Sequence, residues 1–134
     1  MSKDSDAKHT AYKILVVDDE PDIRLIVSEH LEYAGCHVIT AEDGSRAIDA
    51  ALEQLPDLII MDIMMPYIDG FQTLEFLKRN EKTIDIPVIL LSAKSQEEDI
   101  KKGKMGYADK YMTKPFDGDE LISEVKETLE RCSK

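Results

Sequence analysis

The sequence predicts a doubly wound α/β domain built on one parallel sheet, and three observations carry that prediction. Short runs at Lys13–Val17, apolar after its first residue, and at residues 58–61 and 88–91, wholly apolar, read as strands buried on both faces. Two further strand-like runs, His37–Ala41 and residues 108–112, mix polar with apolar side chains, as sheet edges do. Between these runs lie stretches with helical periodicity, so strands and helices alternate along the chain, the pattern of right-handed βαβ crossovers. Three buried strands and two edges are satisfied by the order 2-1-3-4-5. That order places the topological switch between the first and third strands, where ligands of such folds bind outside the carboxyl ends.

Each element has a local cause. Residues 1–12 are polar, lack periodicity and are expected to form a flexible tail, leaving 13–134 as one domain. After the first strand, Pro21 suits the first turn of a helix because its missing N–H would be unpaired there. Ile23, Ile26, Val27, His30 and Leu31 form the helical stripe, and Gly35 closes it as a left-handed cap. The second helix, 43–54, turns Ala47, Ile48, Ala51, Leu52 and Leu55 inward and stops near Pro56. A loop punctuated by Pro66 and Gly70 leads to a third helix, 70–80, with Phe71, Leu74 and Leu77 inward. The fourth, 96–104, has only Ile100 and Met105 to bury and is the weakest of the set. Asp117 or Asp119 can cap the last helix, whose inner face is Leu121, Ile122, Val125, Leu129 and Cys132.

Composition narrows the function. The chain has 134 residues and a formal net charge of -11, with 43% hydrophobic and 34% charged residues. One domain of that size buries a real core. Its charge opposes direct nucleic-acid binding, which needs a basic face, and attraction to anionic membranes. Cys36 and Cys132 are isolated and make neither a disulfide framework nor a zinc site. His9, His30 and His37 lack metal-ligand spacing, and Met61, Met64 and Met65 read as packing. With no charged-then-apolar leader and no apolar run of spanning length, a cytoplasmic protein is expected.

The chemistry gathers at the strand ends. The first strand closes in Asp18-Asp19 and the third in Asp62, so neighbouring strands bring three carboxylates into one crevice. Two like charges about 4 Å apart repel by roughly 4 kcal/mol at an effective dielectric near 20. Either one acid takes up a proton or a hard divalent cation neutralises the group, and an oxygen-only cluster with few ligands suits Mg²⁺. Ser92 ends the fourth strand and Lys114 follows the fifth. Three acids, a hydroxyl and an ammonium make up the inventory for handling a phosphoryl group, with a carboxylate as nucleophile.

Taken in order, the acidic pair, Asp62 with Pro66 and Gly70 behind it, Ser92-Ala93 and Lys114-Pro115-Phe116 resemble a response-regulator receiver domain of two-component signalling, from about Tyr12 onward. The resemblance implies a flavodoxin-like (βα)5 fold and a role for each residue. Asp62 is then the phosphoacceptor, served by a histidine kinase or histidine phosphotransfer protein. Asp19 ligates Mg²⁺ directly, with Mn²⁺ as an alternative, and Asp18 does so mainly through water, while the Met64 backbone carbonyl completes the protein ligands. Lys114 pairs with Asp62 and then with phosphoryl oxygens, Ser92 swings to hydrogen-bond them, and Tyr111 is the aromatic switch that follows Ser92. The Lys114–Pro115 peptide is expected to be cis.

Phosphorylation adds about 1.5 to 2 negative charges and strong acceptors, enough to bias a two-state element. The thinly buried fourth helix, with the fifth strand and last helix, is the expected output face toward a downstream protein, and Lys101, Lys104 and Lys110 lie on it. The family usually has glycine where Tyr107 stands and an acid where Lys110 stands. Met64 and Lys94, two residues after Asp62 and Ser92, are expected to tune the lifetime of the acyl phosphate.

The leading expectation is therefore a stand-alone regulator, a monomer able to dimerise on phosphorylation, and not a multiple-turnover enzyme. Two alternatives are an aspartyl phosphohydrolase, which would want a second acid where Met64 stands, and a partner-binding pseudo-receiver, which would lack the acid pocket or Lys114. Read singly, each site residue also has a structural role open to it, such as a turn, a cap or a surface charge.

Overall fold

The computed structural model describes residues 12–93 and 108–132. Residues 1–11 of the expected tail, Lys94, the weak fourth helix (96–104) with Lys101 and Lys104, and Tyr107 lie outside the described residues; Tyr12, expected in the tail, instead packs against the core, and its carbonyl accepts from the His37 N–H at 2.8 Å. The elements in chain order are β1 (Lys13–Val17), α1 (Pro21–Tyr33), β2 (His37–Ala41), α2 (Gly44–Gln54), β3 (Leu58–Asp62), α3 (Gly70–Arg79), β4 (Val88–Ser92), β5 (Lys110–Thr113) and α4 (Gly118–Cys132). The strands form one five-stranded sheet in the order β2-β1-β3-β4-β5, all pairs parallel. This is the doubly wound order that the sequence predicts.

Alternation along the strands divides the core in two. Leu15, Val17, Ile59, Met61, Val88 and Leu90 face one side and pack with Ala47 and Ala51 of α2 and Leu74 and Leu77 of α3. Ile14, Val16, Leu58, Ile60, Ile89 and Leu91 face the other and pack with Val27 and Leu31 of α1 and Leu121, Val125 and Leu129 of α4. Burial on both faces is why β1, β3 and β4 read as unbroken apolar runs.

Helix ends follow their local chemistry. Pro21 opens α1, and a Schellman motif ends it: the Cys36 N–H donates to Leu31 O at 3.0 Å and the Gly35 N–H to Glu32 O at 3.0 Å, with Gly35 at φ 97°. Asp43 caps α2 by accepting from the Arg46 N–H at 2.8 Å. Asp69 and Gln72 close a reciprocal capping box on α3 at 2.9 Å each way. Of the two candidate caps for α4 it is Asp117 that serves, accepting from the Glu120 N–H at 2.7 Å.

Several side chains depart from the sequence reading. Ile26 and His30 are exposed, because α1 buries only the narrower line of Val27, Ser28 and Leu31. Leu55 is exposed: it is the left-handed cap of α2, at φ 48°, and so has left the helical stripe. Cys132 is exposed at the last turn of α4, beyond the reach of the sheet. Met64 points outward from the loop after β3, while Met65 packs on the core. Strand β5 starts two residues later than expected. Asp109 meets Val88 twice, its side chain accepting from the Val88 N–H at 2.8 Å and its own N–H donating to Val88 O at 3.0 Å, and the paired register begins at Lys110 opposite Ile89.

Candidate functional site

Four strand ends converge on one rim of the sheet. The β1–β3 register pairs Val17 with Met61, so Asp18 and Asp62 follow side by side. The β3–β4 register sets Asp62 opposite Leu91, one residue before Ser92. Ser92 in turn pairs with Thr113, and its carbonyl accepts from the Lys114 N–H at 2.8 Å. The Lys114–Pro115 peptide is cis.

Asp18, Asp19 and Asp62 each offer a carboxylate oxygen within 4.8 Å of the others. Asp18 is fully buried and Asp62 is 5% exposed, while Asp19 faces solvent. The Lys114 ammonium lies 3.3 Å from Asp62 Oδ1 and 3.6 Å from Asp18 Oδ2. One ammonium therefore serves two buried carboxylates. Asp18 Oδ1 accepts from the Glu20 N–H at 3.0 Å, but Oδ2 accepts no hydrogen bond among the described residues.

The titration behaviour records the crowding. Burial, reinforced by the neighbouring Asp18 charge and opposed by Lys114, pushes Asp62 up to about 6. Burial also raises Asp18, against the Glu20 N–H and Lys114. Burial alone would lower Lys114, yet the Asp62 and Asp18 carboxylates outweigh it and hold the ammonium more firmly charged than usual. Three oxygen donors, two of them buried, with a lone pair left open on Asp18 Oδ2, fit a small hard cation such as Mg²⁺.

The loop after β3 is fixed by Gly70. Its N–H donates to Ile63 O at 2.7 Å, and a Cβ built on it would sit 2.6 Å from Asp62 O and 2.7 Å from Ile63 Cα. Only glycine lets α3 begin this close to the backbone of Asp62. On the same loop Tyr67 holds φ 72° with its side chain 95% exposed, and Met64 is 64% exposed.

The Ser92 hydroxyl is buried and donates to Met112 O over a long 3.4 Å. Tyr111 packs against the core cluster shared with α2 and α3, its hydroxyl buried without a hydrogen bond among the described residues. That burial pushes the phenol up to about 12. The structure thus brings Asp18, Asp19, Asp62 and Lys114 into one cluster, with Ser92 on the same rim and Tyr111 three residues before Lys114.

Sequence reasoning missed Arg24, whose Nη1 donates to the Asp18 carbonyl at 2.7 Å. A signal was present. A cation near a helix N-terminus opposes the helix dipole and calls for a reason.

A family model described as the response regulator receiver domain matches residues 14–126. The chain is 43% identical over 122 residues to the DNA-binding dual master transcriptional regulator RpaA of Synechocystis sp., covering 91% of this chain and 51% of RpaA. It is 41% identical over 114 residues to Protein PilG of Pseudomonas aeruginosa, covering 85% of this chain and 84% of PilG. Among solved structures it resembles the chemotaxis response regulator CheY4 of Vibrio cholerae, with a TM-score of 0.81 and 31% identity over 88% of this chain and 98% of CheY4. The chain spans about half the length of the first curated relatives it matches.

Proposed function

This chain belongs to the response regulator receiver domains of two-component signalling, and from that premise we propose that it takes a phosphoryl group onto Asp62 from a histidine kinase or a histidine phosphotransfer protein. The observation that carries the reading is the 3.3 Å approach of Lys114 to Asp62 inside a cluster of three carboxylates. An Asp62 oxygen attacks phosphorus, a P–O bond forms, and the P–N bond to the donor imidazole breaks with the electron pair leaving on nitrogen. Lys114 exchanges part of its contact with Asp62 for phosphoryl oxygens. Ser92 gives up its long bond to Met112 O for a shorter one to the same group. Tyr111 then repacks as Ser92 moves.

Asp19, Asp62 and the Met64 carbonyl would hold Mg²⁺ or Mn²⁺ directly, and Asp18 mainly through water. When bound, the cation offsets negative charge on the carboxylates and on the incoming phosphoryl oxygens. Receiver domains act as phosphorylation-dependent switches, and we place the output of this one on the face of β5 and α4. Lys110 of β5 lies on that face, 3.0 Å from Glu124 and 3.9 Å from Glu127 of α4.

The same reading makes residues 13–134 the receiver domain of a regulator working in the cytoplasm, as a monomer able to dimerise on phosphorylation. The match over 84% of PilG supports it. Among the described residues no helix is long and apolar enough to cross a membrane.

The deciding experiment incubates the protein with Mg²⁺ and acetyl phosphate and follows intact mass. A base-labile adduct that is absent from Asp62→Asn is the expected result. Multiple turnover of a phosphomonoester would favour a hydrolase, and no adduct under any condition a partner-binding module.

A further inference from the structure

Arg24 lies one turn into α1, where the helix dipole favours acids such as Asp22 and disfavours cations. Its side chain turns back six residues, so that Nη1 donates to the Asp18 carbonyl at 2.7 Å. That carbonyl stands where the β1–β3 register has ended, the last pair being Val17 with Met61. The turn from Asp18 to Pro21 has little other support. Glu20, the N-cap of α1, makes no side-chain hydrogen bond, and Pro21 has no N–H to give. What holds the turn is Asp18 itself. Its N–H donates to Ala41 O at 3.2 Å, its Oδ1 accepts from the Glu20 N–H at 3.0 Å, and its carbonyl accepts from Arg24.

The role is one of geometry more than charge. Among the described residues, the ion pairs of the cluster run through Lys114 alone. A guanidinium bound to a backbone oxygen fixes the peptide plane between Asp18 and Asp19, and that plane sets where both carboxylates point. Groups that orient metal ligands without touching the metal commonly alter affinity by about tenfold or more when removed.

We propose that Arg24 is a positioning residue for the acidic notch: by holding the Asp18 carbonyl, it fixes the 18–20 turn so that Asp18 and Asp19 face Asp62. The proposal rests on reading the notch as a Mg²⁺ and phosphoryl site.

Calorimetric titration of the full chain with Mg²⁺ tests it on the native protein, Arg24→Met and Arg24→Lys. Methionine keeps most of the aliphatic stem and removes every donor; lysine restores a donor that reaches the same carbonyl. The expected result is about a tenfold loss of Mg²⁺ affinity in Arg24→Met, recovered in large part by Arg24→Lys. Amide NMR of the metal-free protein should show shifts centred on Asp18, Asp19 and Glu20. Equal Mg²⁺ affinity in native and Arg24→Met, measured well below either melting temperature, overturns the proposal and leaves the site reading standing. So do unmoved amides at 18–20, a readout that needs no metal. Native protein that binds no Mg²⁺ removes the site reading and this proposal with it.

Discussion

Replacing Asp62 with asparagine should stabilise the metal-free protein at neutral and mildly alkaline pH. Asp62 is displaced from 3.8 to about 6, mainly by burial and then by the neighbouring Asp18 charge. At about 1.4 kcal/mol for each tenfold change in proton affinity, holding that carboxylate ionised in the fold costs about 3 kcal/mol. The folded value lies above the unfolded one, so the folded state binds the proton more tightly. Stability associated with this group is fully present below pH 3.8 and is lost as pH rises through about 6. Asparagine removes the ionisation, and because the displacement is already net of the opposing pull of Lys114, the loss of that partner is not subtracted again.

The net expectation is a gain of about 2–3 kcal/mol at pH 8 in the presence of a chelator, shrinking toward zero near pH 4. For a domain of this size that corresponds to about 7–11 °C in melting temperature. Urea denaturation followed by circular dichroism, repeated at several pH values, measures it. Excess Mg²⁺ should reverse the ranking, because the native site holds one more anionic ligand; a cation at a hundred times its dissociation constant stabilises by about 2.7 kcal/mol. An Asp62→Asn protein less stable than native at pH 8 without metal, or a gap independent of pH, would refute the claim that like-charge crowding dominates the notch.

Other expectations follow from single contacts. Gly70→Ala forces a methyl group against the Asp62 carbonyl at 2.6 Å; it should lower stability by about 1–3 kcal/mol and slow adduct formation from acetyl phosphate. Tyr67→Gly relieves a left-handed backbone that costs a tyrosine about 1 kcal/mol, so the urea midpoint should rise and the slope stay constant. Lys114→Met removes an ammonium that lies within 4 Å of both Asp62 and Asp18. Carboxyl NMR titration should then show the Asp62 midpoint above its native value, and phosphoryl uptake should fall at least tenfold.

The sheet was legible because burial on both faces confines polar residues to the ends of β1, β3 and β4, whereas β2 and β5 carry them within the strand. The site was legible for a related reason: an acid directly after a buried apolar run has few places to be except a strand end. What periodicity could not give was how far each face reaches. Ile26 and Val27 both match the stripe of α1, but only Val27 meets the sheet. Leu55 fits the spacing of α2 and yet leaves the helix, because a left-handed cap turns it outward. The start of β5 depended on Asp109 bonding a strand distant in sequence, which no local window contains. Arg24 was missed for a different reason: its partner, six residues away, is a backbone oxygen in a turn whose shape the side-chain pattern does not encode.

The groups at the rim come from the ends of four different strands, joined through three separate pairings of the sheet. No fragment of the chain can bring them together early. A nascent copy still lacking β5 would hold Asp62 and its acidic neighbours without the Lys114 ammonium, and so would react poorly with a donor. Reactivity at this notch would therefore double as proof of assembly, with the cell's messenger unable to be written onto a molecule that has not finished folding.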